Sequence, residues 1–301
     1  MASDQEEQQQ QQPVAPLSDA GSAVYSPLLL SIYDAVVLGF SNTYVWRCPT
    51  DEVLLPLFES AMGEHHLDVG VGTGYFPATA MARRGGGAAS SSSPPCRSLT
   101  LVDANPTALD TARRRVHRAA AGLASSSSPV RVSAVLADAT KPLPLSVADG
   151  PSQSSATGGR GNDDGGDNSG CTRNGVVKFT SASIFYLLHC ISLPAETKAT
   201  LVLDSLRAHL APDATLVGAT ILGRGRDEHR GWLARGLGAF YNRRGIFSNA
   251  DDGAEAFERV LRRVFAHVEV WFVGVVMLFR ARGLRVAVGP LEALPTDGEG
   301  I

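Results

Sequence analysis

The chain has 301 residues, 44% of them hydrophobic and 19% charged, with a formal net charge of −3. That length is enough to bury a sizeable core in one large or two small domains, and the slightly acidic balance argues against a partner made of phosphate backbone. No apolar run approaches the roughly 20 residues that span a bilayer, and residues 1–13, acidic and glutamine-rich, do not read as a secretory signal.

Residues 1–20, with a glutamine run at 8–12, read as a disordered tail. Residues 21–64 read as a helical lead-in, with a helix from about Pro27 to Phe40 and then the stretch S-N-T-Y-V-W-R-C-P-T. From residue 65 onward, strand-like runs stand at 66–69, 98–102, 130–136, 176–188 and 215–222, and helical patterns lie between them. Leu109, Ala112, Val116 and Ala119 recur at helical spacing behind Asn105 as N-cap and Pro106 at the first helical position. Val202, Leu206 and Leu210 form a second stripe, in a helix opened by Pro194 and closed before Pro212. A third stripe, Phe257, Val260, Leu261, Val264 and Phe265, is entered from Asp251 and Asp252. The segments 85–95, 122–129 and 146–175 are nearly free of apolar side chains and read as insertions, which surface loops tolerate at small entropic cost. The runs 268–273 and 275–281 are separated only by Gly274, so they predict an antiparallel hairpin. The expected fold is α/β: a mostly parallel sheet with an antiparallel C-terminal hairpin over 65–287, then a tail at 288–301.

The most informative segment is H-L-D-V-G-V-G-T-G-Y, from His66 to Tyr75. Glycines after a strand let the backbone turn tightly and approach a ligand. A nicotinamide site requires G-x-G-x-x-G, whereas here the third glycine is Gly74 and position 75 is Tyr. Asp68 just before the loop would repel a pyrophosphate but suits a ligand carrying an ammonium or sulfonium charge. Asp103 ends the second strand, placed to accept from both hydroxyls of a ribose. It lies 29 residues after Gly74, or 18 once the 11-residue insert 85–95 is removed, which fits one helix and one strand. Asp138 ends the third strand in V-L-A-D-A, placed to accept from an adenine amino group. Singly, Asp103 and Asp138 are equally readable as cap or turn residues. Behind a glycine loop, three acids at three successive strand ends converge on one cleft.

These residues resemble the class I S-adenosylmethionine-dependent methyltransferase family, over about residues 25–282. The resemblance implies a Rossmann-like seven-stranded sheet with a helical N-terminal lid, and S-adenosylmethionine as the cofactor. It further implies that Gly70, Gly72 and Gly74 lie under the methionine part, with Asp68 near its amino group. Asp103, with Ala104 beside it, would hold the ribose, and Asp138 with Ala139 would read the adenine. Downstream, Y-L-L-H-C, G-A-T-I-L-G and Y-N-R-R-G-I-F-S-N resemble a subgroup of small-molecule methyltransferases of fungi and bacteria. Phe185 departs from the pattern, since a polar residue is expected there.

Methyl transfer from a sulfonium requires mainly positioning, and a general base where the acceptor arrives protonated. His189, after the fourth strand, is the candidate base, with a structural histidine as the competing reading. His65 and His66 are expected to be surface and packing residues. In the lead-in, Tyr33, Tyr44 and Trp46 are lid candidates and Arg47 a partner for the methionine carboxylate; Tyr33 as core and Trp46 as a docking residue are the bland alternatives. Within 224–249, Trp232, Phe240, Tyr241, Asn242 and Phe247 are expected to line an apolar acceptor pocket. Arg113, Arg114, Arg115 and Arg118 read as a solvated helix face. Cys48, Cys96, Cys171 and Cys190 are widely spaced without a C-x-x-C pair, and no histidine pair has metal-ligand spacing. Reduced thiols in the cytoplasm and no metal are therefore expected. The expected function is methyl transfer to a small molecule of secondary metabolism, without a nucleic-acid or membrane partner. A protein or RNA methyltransferase and a catalytically silent cofactor-binding scaffold are the alternatives.

Overall fold

The computed structural model describes residues 34–85, 96–122, 129–145 and 178–285. The expected tails, the insert 146–175, nearly all of the inserts 85–95 and 122–129, and Tyr33 lie outside the described residues. Seven strands form one sheet: β1 (His65–Val69), β2 (Ser98–Asp103), β3 (Arg131–Leu136), β4 (Phe179–Phe185), β5 (Leu210–Ile221), β6 (Phe265–Val273) and β7 (Val276–Leu284). Their order is β3-β2-β1-β4-β5-β7-β6; the first five are parallel, and β7 runs antiparallel between β5 and β6. The order reverses between β1 and β4, so a ligand crevice is expected outside the carboxyl ends of these strands.

Helices cover both faces. On one side α1 (Leu55–Ala61), α2 (Tyr75–Gly85) and α3 (Pro106–Ala121) bury Phe58, Met81 and Val116 against Leu99 and Leu101 of β2. On the other, α4 (Ala195–Arg207) and α6 (Ala254–Val264) bury Val202 and Val260 against Leu67, Phe179 and Phe279. The start of α3 follows its sequence signal: the Asn105 side chain accepts from Thr107 N–H at 2.9 Å and Ala108 N–H at 3.1 Å, with Pro106 next in line. A further helix, α5 (Trp232–Arg243), lies between β5 and α6 in sequence.

Two boundaries differ from the periodicity. Leu210 belongs to β5 and not to the α4 stripe, because the chain turns at His209, whose N–H donates to Leu206 O at 2.8 Å. Pro212 then falls inside β5, where the pairing with β4 shifts register between Phe179 and Ser181. Proline tolerates such an irregularity because it has no N–H to give a ladder. The lead-in helix runs on to Val45 in π-helical turns (Asp34–Val45) instead of ending near Phe40. Ser41 and Asn42 are buried, and Asn42 Nδ2 donates to Thr50 Oγ1 at 2.8 Å. That tie keeps the stretch helical.

Candidate functional site

The carboxyl ends of β1, β2 and β3 bring the glycine loop and the acids together. Gly70, Gly72 and Gly74 have φ of +74°, +55° and +73°, a region that side-chain-bearing residues avoid. Gly70 and Val71 donate to Val102 O at 2.8 and 3.2 Å, which folds the loop back over the end of β2. A Cβ on Gly70 would lie 2.9 Å from Leu187 Cβ, and one on Gly74 2.7 Å from Ala112 Cα. At Gly72 nothing lies within 4 Å of that position, so the apex of the loop faces open space.

Asp103 closes one side of that space. Its Oδ2 accepts from Gly72 N–H and its Oδ1 from Asn105 N–H, both at 2.9 Å. A carboxylate has about four acceptor directions, so acceptor capacity remains for a ligand hydroxyl. Burial pushes the Asp103 carboxyl up, and the N–H groups of Asn105, Gly72 and Ala104 draw it back down. Ala104 itself is exposed. Asp68 is 4% exposed, and burial raises its carboxyl to about 7 against the bond from Ser183. Asp138 accepts from Thr140 N–H and Oγ1 at 2.9 and 2.7 Å through Oδ1, so half of its carboxylate shapes its own turn. Ala139 is buried, its carbonyl accepting from Ser205 Oγ at 2.7 Å.

His189 is 2% exposed, its ring between Phe247 (4.5 Å between centroids) and Tyr186 (5.4 Å). Its Nδ1 accepts from Ile221 N–H at 3.3 Å, and Ser248 N–H donates to its carbonyl at 2.8 Å. Burial lowers the ring's pKa to about 3. The nitrogen without a proton therefore faces the protein's own backbone.

A cavity of about 210 Å³ opens beside this histidine's neighbours, lined by Trp46, Phe247, Asn242, Asn249, Arg230 and Arg235 among others. Trp46 is 3% exposed and packs 5.9 Å from Phe247. Tyr241 is half-buried behind Phe247 at 4.9 Å. Asn242 Nδ2 donates to Asn249 Oδ1 at 2.9 Å and Asn242 Oδ1 accepts from Asn249 N–H at 3.2 Å, a reciprocal pair that fastens α5 to the following loop.

Other expectations need correction. Trp232, expected in the pocket, opens α5 with its ring 78% exposed and outside the cavity lining, and Phe240 is half-exposed. Arg47, expected at the cofactor's carboxylate, turns its guanidinium towards Gly231, 3.6 Å from where a Cβ would stand there. Phe185 faces the core, 4.9 Å from Phe76 and 5.7 Å from Phe58, so a polar residue at that position has no place in this chain. Arg113 and Arg114 do pair with Asp110 in solvent, whereas Arg115 lies 5.2 Å over the Tyr75 ring. His66, expected to be a packing residue, is fully buried with both ring nitrogens hydrogen-bonded. His65 is half-buried, its Nδ1 2.8 Å from Ser98 Oγ. A pairing that sequence reasoning missed supports the site from behind: Asp252, read only as a helix entry, forms a buried ion pair with Lys198 at 2.7 Å, and Lys198 also donates to Ser248 O at 2.8 Å. Among the described residues, no cluster of three His, Cys, Asp or Glu side chains is placed to hold a metal ion.

No protein-family model matches the chain. It is 39% identical over 264 residues to the O-methyltransferase NEC2 of Pyricularia oryzae, covering 86% of this chain and 90% of that one. It is 36% identical over 265 residues to the physcion biosynthesis cluster O-methyltransferase of Aspergillus chevalieri, covering 88% and 95%. The chain belongs to this family of O-methyltransferases. Among solved structures, an O-methyltransferase family protein from Burkholderia thailandensis superposes with a TM-score of 0.51 at 12% identity, over 85% of this chain and 60% of that one. That likeness shows the fold alone, and the seven-stranded sheet agrees with it. The chain is thus a methyltransferase. Among the described residues of the methyltransferase, no helix is long and apolar enough to cross a membrane.

Proposed function

We propose that the methyltransferase holds S-adenosylmethionine at the carboxyl ends of β1–β3 and methylates an oxygen of a small phenolic acceptor seated beside Trp46. The observation that carries this reading is Gly72, whose Cα faces open space next to Asp103 while Leu187 and Ala112 close over its neighbours Gly70 and Gly74. Asp68 takes the ammonium of the methionine part, Asp103 and Ala104 the ribose, and Asp138 with Ala139 the adenine. When bound, the cofactor supplies a methyl carbon already activated by a sulfonium, so the chain's own task is positioning.

His189 is assigned to the wall and not to base catalysis. A base at this site would have to accept a proton, yet burial lowers the ring to about 3 and its Nδ1 already accepts from Ile221. An acceptor hydroxyl acidic enough to ionise in water needs no such base, and this points to a phenol. The described part of the lead-in, residues 34–64, covers the acceptor side through Trp46, with Tyr241 supporting Phe247. Arg47 belongs to the α5 side and Asn242 to the framework of the cavity, and Trp232 takes no part in it. The thiols of Cys48, Cys96 and Cys190 are unpaired with one another, which suits the reducing cytoplasm. Incubation with methyl-labelled S-adenosylmethionine and a set of phenols, aryl amines and thiols tests the reading. Label is expected in the phenols; label confined to amines or thiols contradicts it.

A further inference from the structure

His66 and Asp68 share one face of β1, and Ser181 and Ser183 stand opposite them in register on β4. All four are at most 4% exposed. Central parallel strands are ordinarily near-continuous apolar runs, and a polar group buried there is costly unless it is bonded. Here every one is bonded. Gly63 N–H donates to Ser181 Oγ at 2.9 Å, and Ser181 Oγ lies 2.8 Å from His66 Nδ1. His66 Nε2 lies 2.9 Å from Ser183 Oγ, and Ser183 donates to Asp68 Oδ1 at 2.5 Å.

Counting protons fixes the direction of this file. The Asp68 carboxylate only accepts, so it takes the single proton of Ser183. Ser183 Oγ then accepts from Nε2–H of His66. Nδ1 is left as the acceptor for the Ser181 hydroxyl, whose own oxygen accepts from Gly63. Every donor points towards Asp68, and bonds aligned in this way polarise one another.

We infer that His66 is a positioning residue for cofactor binding: acting through Ser183, it holds the Asp68 carboxylate as an acceptor for the cofactor's ammonium group. The inference rests on the assignment of Asp68 to that group. Burial keeps His66 at about 3, and hence neutral, with the Arg84 guanidinium of α2 acting in the same sense. Burial lifts Asp68 to about 7; the Ser183 bond opposes this, and the Asp103 carboxylate at the end of β2 adds to it. From α1, Phe58 meets the His66 ring edge-on at 5.2 Å, and β4 contributes only its two serine hydroxyls to the file. Without the Nε2–H donor, the Ser183 hydroxyl loses its orientation and Asp68 holds its proton to higher pH.

The test is a calorimetric titration with S-adenosylhomocysteine, which carries the same ammonium group, from about pH 6 to 9. Wild-type affinity is expected to rise through a midpoint near 7. In His66→Leu and in Ser183→Ala the midpoint moves up by about one pH unit, which is about fivefold weaker binding at neutral pH, approaching about tenfold near pH 6, and near wild-type affinity at the alkaline end. His66→Gln, whose amide N–H can donate to Ser183, keeps the wild-type midpoint. Equal weakening at every pH with an unmoved midpoint overturns the inference and leaves His66 as mere packing. Should His66→Leu not fold, Ser183→Ala and nitrogen-15 spectra of the wild-type imidazole decide it. The Nε2–H tautomer is expected, and the Nδ1–H tautomer overturns the direction of the file. A wild-type protein that binds no S-adenosylhomocysteine at any pH overturns the assignment of Asp68 to the cofactor and this inference with it, whereas binding with an unmoved midpoint overturns the inference alone.

Discussion

Asp103 accepts the backbone N–H of Gly72 at 2.9 Å, which ties the apex of the glycine loop to the end of β2. The three glycines of that loop are accordingly not equivalent. A Cβ on Gly74 meets the backbone of α3 at 2.7 Å, whereas one on Gly72 enters open space. Gly74→Ala combines left-handed strain with overpacking and is expected to destabilise the fold by about 3 kcal/mol. Gly72→Ala carries the strain alone, about 1–2 kcal/mol, yet its methyl group stands where the ligand approaches. Urea unfolding and S-adenosylhomocysteine titration of the two variants check this. Gly74→Ala loses mainly stability, and Gly72→Ala loses mainly affinity.

Asp68 links ligand binding and folding to pH. Its folded carboxyl stands near 7, above the ordinary 3.8, so between these values the native protein holds a proton that the unfolded chain has released. Stability in the ligand-free state therefore falls as pH rises through this window, and the penalty is complete above the folded value. Asp68→Asn removes that slope, which urea midpoints at about pH 5 and 8 will reveal. In the wild type, binding near pH 6 should release close to one proton and binding near pH 8 almost none. Calorimetry in buffers of different ionisation enthalpy reads that difference.

For His189, a wall and a base predict different losses. Removing a general base lowers turnover by about 10²–10⁴-fold. His189→Gln, which keeps an acceptor for the Ile221 N–H, is expected to lower turnover of a phenolic acceptor by less than about tenfold and to lower the melting temperature. A pH–rate profile that loses an inflection in the variant, at unchanged thermal stability, would return His189 to base catalysis.

Lys198 and Asp252 form a buried ion pair at 2.7 Å that anchors the loop carrying Ser248 and Asn249. Burial raises the Asp252 carboxyl and Lys198 holds it down. Lys198→Met leaves that charge without its partner, and such a loss is worth about 3–5 kcal/mol. The double variant Lys198→Met with Asp252→Leu is expected to recover a large part of it. Denaturant unfolding of both proteins distinguishes the pair from two independent contributions.

What could be read from the sequence was local. The positive-φ glycines, the acids at the ends of β1 and β2 and the Asn105 cap each signal within a few residues, and the fold's strand–helix alternation repeats those signals. His66 reads as a packing residue because its hydrogen-bond partners Ser181 and Ser183 lie 115 and 117 residues away, beyond a long insert, and only the register of β1 against β4 unites them. Lys198 and Asp252 are likewise joined by the packing of α4 against the loop before α6. Trp232 misled because aromatic content says nothing about which side of α5 faces the cavity; packing turned Ala234 inward and the indole outward.

The most direct measurement is a calorimetric comparison of wild type and Asp103→Ala with S-adenosylmethionine, S-adenosylhomocysteine and NAD. The account predicts one-to-one binding of both sulfur ligands by the wild type, no binding of NAD, and affinity reduced by about a hundredfold in Asp103→Ala, the loss of two charge-assisted hydrogen bonds. Unchanged affinity in Asp103→Ala, or binding of NAD in preference to the sulfur ligands, would contradict it.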